Sequence, residues 1–189
     1  MNDLEGAVVA IAMTLKANAV PYMVIGGFAN LLWGEPRTTR DLDVTVDIDL
    51  ADWKEVDKLC QQIGRFLASD PQAMAERTRV VPLMTAGGVP VDLIIGMLTF
   101  ESEAIARARQ VEFQGGLVSV CTPEDLVVHK IISERPRDLD DVVGILRRQG
   151  GAIDVPGLEA LVSQLSTTMD DATIIDRFVE AKRLANLAP

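Results

Sequence analysis

Apolar residues recur at helical spacing from the start of the chain, at Leu4, Val8, Ile11, Ala12 and Leu15, and predict a helix from about Leu4 to Ala17. Asn2 with Glu5 has the form of a capping box, and Asn18 suits the C-terminal stop. Pro21 opens a short apolar run, Tyr22 to Ile25, that ends in Gly26-Gly27; a strand followed by a glycine turn is expected. Phe28 to Trp33 has helical composition and stops at Gly34. At Asp41 the period changes to two. Leu42, Val44, Val46 and Ile48 fall on one face, and Asp41, Asp43, Thr45, Asp47 and Asp49 on the other, the pattern of a half-buried strand.

Ala51 to Ile63 returns to helical spacing, with Trp53, Val56, Leu59, Cys60 and Ile63 as its buried stripe. Asp70-Pro71 is a cap followed by proline at the first helical position, so a short helix to about Arg77 follows. Two β-branched runs, Arg79 to Met84 and Val89 to Ile95, flank Gly87-Gly88 and predict a hairpin. A helix over Glu101–Arg109 precedes a second pair of strands, Gln110–Phe113 and Leu117–Val120, around Gly115-Gly116. Thr122-Pro123-Glu124-Asp125 starts a helix with a capping box and an acidic first turn. Helices are then expected over 123–133, 138–149, 157–167 and 171–186. The class is α/β (α+β). Without repeats or linkers, the expectation is one domain over 1–189, an α/β core at 1–121 with a helical extension at 122–189 packed on it.

Composition narrows the chemistry. The 189 residues are 48% hydrophobic and 24% charged, which excludes global disorder. A net charge of −10 excludes a generic nucleic-acid binder held by a basic surface, though not a local basic groove. His129 is the one histidine, which rules out His-rich zinc sites and paired-histidine chemistry. Cys60 and Cys121 stand apart, with neither CxxC spacing nor a disulfide framework. The apolar stretch Ala7 to Leu15 is broken by Lys16, too short to span a bilayer, and preceded by no charged n-region. A soluble, reduced, cytoplasmic protein with no membrane partner is expected. Carboxylates, arginines, lysines and backbone amides are left to carry any reaction.

The acidic strand face is where they gather. Residues i and i+2 of a strand point the same way about 6.6–7 Å apart, so Asp41 and Asp43 repel unless a cation lies between them. Magnesium suits such a place, because it takes one or two carboxylates together with substrate phosphates. The alternatives are a charged edge strand that discourages aggregation, or a cation held for stability alone. Asp92, alone in the apolar run Val89–Ile95, shifts the balance, since a lone carboxylate there is costly unless paired, exposed or metal-bound. If its strand adjoins the first, three carboxylates meet the need of two metals about 3.5–4 Å apart that clamp a phosphoryl transfer. Gly26-Gly27, about fifteen residues before Asp41, offers bare backbone and helix-start amides to phosphates.

The segment Val24-Ile25-Gly26-Gly27-Phe28, followed by Arg37-Thr38-Thr39-Arg40-Asp41-Leu42-Asp43-Val44 and later Val91-Asp92-Leu93, resembles the signature of DNA-polymerase-beta-like nucleotidyltransferases. The resemblance covers about residues 20–96. It implies the nucleotidyltransferase fold, a mixed β-sheet flanked by helices, with two Mg2+ ions (Mn2+ as a substitute) and transfer of a nucleoside monophosphate from an NTP with release of pyrophosphate. Asp41 and Asp43 would bind both metals and the triphosphate; Asp92 would bind the catalytic metal and activate the acceptor hydroxyl. Gly27 stands where many members have serine, which removes one hydroxyl contact to phosphate.

Thr122 to Lys130, then Arg135-Pro136-Arg137-Asp138-Leu139-Asp140-Asp141-Val142, is similar to abortive-infection-type nucleotidyltransferase toxins. That likeness gives Lys130 a phosphate or base contact and Asp138 the task of holding Lys130 or an arginine. It implies an acceptor that is RNA (a tRNA end), a protein hydroxyl or a small molecule and, for a toxin, a cognate antitoxin as partner. Arg37 and Arg40 flank the loop into the acidic strand, within reach of a triphosphate. His129, Cys60, Trp33 and Trp53 read as structural, Asp49 as the cap of the next helix, and Arg177, Lys182 and Arg183 as a solvated face. An inactive nucleotide-binding or regulatory module of the same fold is the competing expectation.

Overall fold

The first helical stripe becomes α1, Leu4–Ala17, with Val8, Ile11, Ala12 and Leu15 buried. The computed structural model describes residues 4–133 and 135–186, so the Asn2 half of the expected capping box lies outside the described residues. Asn18 ends α1 by donating its side-chain amide to the Thr14 carbonyl at 2.8 Å, and Ala19 turns the chain at φ 54°. Two compact units follow from the tertiary contacts: 4–28 with 38–122, and 29–37 with 123–186.

The first unit is built on a sheet. Its strands are β1 (Tyr22–Ile25), β2 (Leu42–Val46), β3 (Arg65–Phe66), β4 (Val80–Met84), β5 (Pro90–Ile95), β6 (Arg109–Phe113) and β7 (Gly116–Val120). They lie in the order β3-β4-β5-β2-β1-β7-β6. The hairpins expected around Gly87-Gly88 and Gly115-Gly116 are β4–β5 and β6–β7, both antiparallel. In the middle, β2 runs antiparallel to β1 and parallel to β5, while β1 is parallel to β7. The sheet is therefore mixed, as the nucleotidyltransferase resemblance implied.

Alternation sorts the two faces. Leu42, Val44 and Val46 stand level with Val91, Leu93 and Ile95, and all six are buried. Helix α3, Trp53–Ile63, buries Val56, Leu59, Cys60 and Ile63, the expected stripe except for the half-buried Trp53. Cys60 is core, and burial followed by the nearby Asp57 charge pushes its thiol up to about 12. Asp70 accepts from the Ala73 amide at 3.0 Å and opens α4 (Pro71–Thr78) with proline at its start, as expected. Helix α5 (Thr99–Ala106) completes the unit; Glu101 accepts from the backbone amides of Met97 and Leu98 at 2.9 and 3.0 Å.

Three local expectations change. The period-two run is a strand only over Leu42–Val46, with Asp41 before it and Asp47 and Asp49 after it. Because β2 is central in the sheet, the charged-edge explanation of its aspartates does not hold. Asp49 accepts from Ala51, while Asp52 caps α3 by accepting from Glu55. Gly26-Gly27, expected as a turn ahead of a helix, forms the first turn of α2, Gly26–Trp33.

The second unit takes over α2 at Ala29 and adds α6 (Pro123–Ile131), α7 (Pro136–Gln149), a 3-10 turn at Gly150–Ala152, α8 (Val155–Met169) and α9 (Thr173–Leu184). Its core holds Leu126, Val127, Ile145, Leu146, Leu158, Val162, Ile174 and Phe178. The basic residues of α9 are engaged by acids: Arg177 with Asp171, Lys182 with Glu159 and Arg183 with Glu180. No helix among the described residues is long and apolar enough to cross a membrane.

Candidate active site

In the first unit, strand register does the assembling. Asp43 of β2 pairs directly with Asp92 of β5 in a parallel ladder, so both side chains rise from the same face with their Cα atoms about 4.8 Å apart. Ile25, the last residue of β1, lies opposite Asp43 on its other side and delivers the chain to Gly26 at φ 65°. A Cβ on Gly26 would sit 1.8 Å from Asp43 Oδ2, so only a glycine backbone leaves that carboxylate its place. Asp41, exposed just ahead of β2, accepts a hydrogen bond from the Thr39 hydroxyl at 2.9 Å.

The three expected carboxylates thus belong to one neighbourhood with Gly26-Gly27. Desolvation by the apolar strands, and then the negative charge of Asp41, raise the Asp92 carboxyl above its ordinary value of 3.8. Two residues beyond Asp43 on the same face, Thr45 is wholly buried and its hydroxyl oxygen has no hydrogen-bond partner. Among the described residues no three acidic, histidine or cysteine side chains close into a ready-made metal cage. Asp43 and Asp92 side by side, with Asp41 just ahead of β2, could hold a divalent cation that takes its remaining ligands from substrate phosphates and water.

Lys130, Asp138 and Arg37, expected at the nucleotide, lie in the second unit and form one buried network. Lys130 Nζ reaches Asp138 Oδ1 at 3.0 Å and Asp141 Oδ2 at 2.7 Å. Arg37 grips Asp141 with two nitrogens, Nε to Oδ1 and Nη2 to Oδ2, each at 2.9 Å. Asn30 adds an amide donor to Asp141 at 3.3 Å, and Arg135 donates to Asp138 Oδ2 at 2.6 Å. Asp138 is 2% exposed and Lys130 and Asp141 5% each, so these charges are out of water and depend on one another.

Burial opposes ionisation of both carboxylates, and the donors outweigh it. Bonds from Ser133 and Lys130, the lysine charge and Arg135 hold Asp138 below its ordinary value. Arg37 and Lys130 do the same for Asp141. Asp138 thus accepts from both Lys130 and Arg135. Asp141 and Asn30 belong to this network although the sequence reading did not single them out. The signal for Asp141 was its spacing three residues after Asp138 and four before Ile145, on a buried helix face.

A family model described as a nucleotidyltransferase of unknown function (DUF6036) matches residues 6–184, across both units. The chain belongs to this family. Three solved structures share the nucleotidyltransferase fold. Antibiotic-resistance factor ANT(2'')-Ia aligns over 90% of this chain and 97% of its own, with TM-score 0.58 and 14% identity. A nucleotidyltransferase-like antigen from Paracoccidioides brasiliensis aligns over 93% of each chain, with TM-score 0.54 and 19% identity. The lincosamide antibiotic adenylyltransferase LnuA, bound to lincomycin, covers 77% of this chain and 98% of its own at TM-score 0.54 and 15% identity. No curated protein matches the sequence. At such identities the solved structures speak to fold alone. In this chain the in-register Asp43–Asp92 pair stands beside a steric glycine.

Proposed function

We infer that this nucleotidyltransferase moves a nucleoside monophosphate from an NTP to an acceptor hydroxyl with release of pyrophosphate, using divalent metal, Mg2+ first, at Asp41, Asp43 and Asp92. The observation that carries it is the Asp43–Asp92 register pair with Gly26 excluded from any other residue by the Asp43 carboxylate. Bound metal would supply charge neutralisation at the transferring phosphoryl group. The chain's own part is positioning. Amides at the first turn of α2 receive the anionic triphosphate, where absent side chains permit close approach. Asp41 and Asp43 would hold the ion against the donor phosphates, and Asp92 would take the proton of the attacking hydroxyl.

Arg40 adds positive charge next to Asp41. Arg37, Lys130 and Asp138 enter as a preassembled group in which three cations, with Arg135, meet two carboxylates. That excess of one positive charge suits a nucleotide anion. The two units serve one catalytic domain, a reading supported by a family match that runs through both. A small-molecule hydroxyl is the favoured acceptor: ANT(2'')-Ia has a structure with adenylyl-2''-tobramycin, and LnuA acts on lincosamides. RNA or protein acceptors, and a toxin's role with an antitoxin, are the outcomes an acceptor screen separates from it.

Calorimetric titration of each of the four NTPs, with and without Mg2+, on the native chain and on Asp41→Ala/Asp43→Ala tests the site. Magnesium-dependent binding of an NTP, lost in the double variant, is expected. Absence of binding to all four sinks the reading.

A further inference from the structure

From Asp141 to its end at Gln149, one face of α7 holds the segment from Asn30 to Arg37. Asp141 accepts from Asn30 and Arg37 at its first contact. Three residues on, Gly144 leaves room for Glu35: a Cβ there would lie 3.1 Å from Glu35 Cγ and 3.2 Å from its backbone nitrogen. Ile145 packs beneath Gly34, where a Cβ would come 3.0 Å from Ile145 Cγ1 and 2.3 Å from Asn30 Oδ1. One turn later Arg148 Nη1 donates to the carbonyls of Gly34 and Leu31 at 2.5 and 3.4 Å. Gln149 Nε2 donates to the Trp33 carbonyl at 2.7 Å.

These five positions recur at three- and four-residue spacing, one stripe of one helix. The last carbonyls of α2, which a helix end leaves without intrahelical partners, are therefore capped by side chains of α7. What the stripe grips is the stretch of chain between the two motifs of the donor site. Gly26-Gly27 begins the same helix whose end is capped, and eight helical residues form a stiff rod of about 12 Å. Asp41 follows Arg37 after three residues.

We propose that Asp141, Gly144, Arg148 and Gln149 are positioning residues: by clamping Asn30–Arg37 they set the first turn of α2 at one end and the entry to β2 at the other. None of them touches nucleotide in this account. The proposal rests on the reading of those two motifs as the donor site, but its mechanical part stands apart from it.

The test uses the full chain carrying Arg148→Ala/Gln149→Ala, with Arg147→Ala as control. Arg147 is next in sequence but donates to the Leu184 carbonyl instead. Amide hydrogen exchange and titration of ATP, CTP, GTP and UTP with Mg2+ are read together. Exchange should quicken about tenfold at 27–33 and also at 38–43, with β6 and β7 unchanged. NTP binding should weaken about tenfold, and the control should match the native chain. Faster exchange confined to 31–37 overturns the proposal, as does a spread to both ends that leaves NTP affinity intact. Should the native chain bind no NTP, the functional reading fails and the exchange pattern alone decides the mechanical claim. If the double variant does not fold, Gly144→Ala, which pushes Glu35 by a few tenths of an ångström, is read by the same criteria.

Discussion

Gly26 is held to glycine twice over, by φ 65° and by an Asp43 oxygen where a Cβ would stand. Gly26→Ala is expected to cost about 1–2 kcal/mol from the left-handed backbone alone, seen in urea unfolding. It should also displace the Asp43 carboxylate and lower NTP affinity more than stability. Asp43→Ala separates function from folding in the other direction. Magnesium-dependent NTP binding should vanish while the melting temperature in EDTA stays near the native value. If that variant unfolds and metal alone raises the native melting temperature, the aspartates hold a cation for stability. Both residues were legible in the sequence, since a period-two run of aspartates and a glycine pair at a strand end are local patterns. What was not legible was their mutual contact. Sequence spacing places residues along one strand, and only pairing between strands says which carboxylate faces which glycine.

At the scale of elements, the pairing of α6 with α7 depends on buried charge. Lys130 neutralises two carboxylates that are almost wholly out of water. Lys130→Met should therefore destabilise the chain at pH 7 by about 1.5–3 kcal/mol, because each buried carboxylate loses a charged hydrogen bond and keeps only its arginine as a charged partner. The sign of the pH dependence follows from the depressed carboxyls. In the native chain Asp138 and Asp141 contribute stability that is complete above their ordinary value of 3.8 and is lost as pH falls through their lower folded values. In Lys130→Met that contribution shrinks to what Arg37, Arg135 and Ser133 supply, so the gap between variant and native chain should be widest near neutrality and narrow in acid. Urea midpoints at pH 7 and about pH 2.5, below the ordinary carboxyl value, give the comparison. Most elements were visible beforehand from periodicity and caps: α1 and β1 keep their expected bounds, and Asp70-Pro71 opens α4. The two-residue β3 was not visible, being too short to show a period. The place of β2 in the sheet also escaped notice, because alternation reports one covered face and stays silent about how many neighbours a strand has.

For the molecule as a whole, a net charge of −10 sets the long-range field. Retention of non-specific RNA in filter binding is expected to be absent at about 0.15 M salt, since counterion release needs clustered lysine and arginine. Strong retention would mean that basic groups are gathered on one face, and would favour an RNA acceptor over a small molecule. The lone cationic excess of the Lys130 network is too small to reverse that field. Its reach in salt is only about 8 Å, which suits a mononucleotide better than a polymer. Much of this scale lay beyond the sequence: the helical residues after 122 were readable, while the recruitment of 29–37 into their unit was not, because it depends on contacts of α7 with distant backbone carbonyls.

The parallel ladder between β2 and β5 acts as a ruler. Slide β5 by one residue and Asp92 turns into the core, while Val91 or Leu93 comes to face outward beside Asp43. Such a slip buries a charge and exposes valine and leucine in the same movement, so the misfolded arrangement is both inactive and unstable. The connection between the two strands, 47–89, is free to gain or lose residues only where it leaves this alignment untouched. Insertions at the Gly87-Gly88 bend or around α4 should therefore be absorbed, whereas one residue added inside Val91–Ile95 should abolish the site and the fold together. On the proposed function, catalytic competence would double as proof that the sheet has been assembled in its proper alignment.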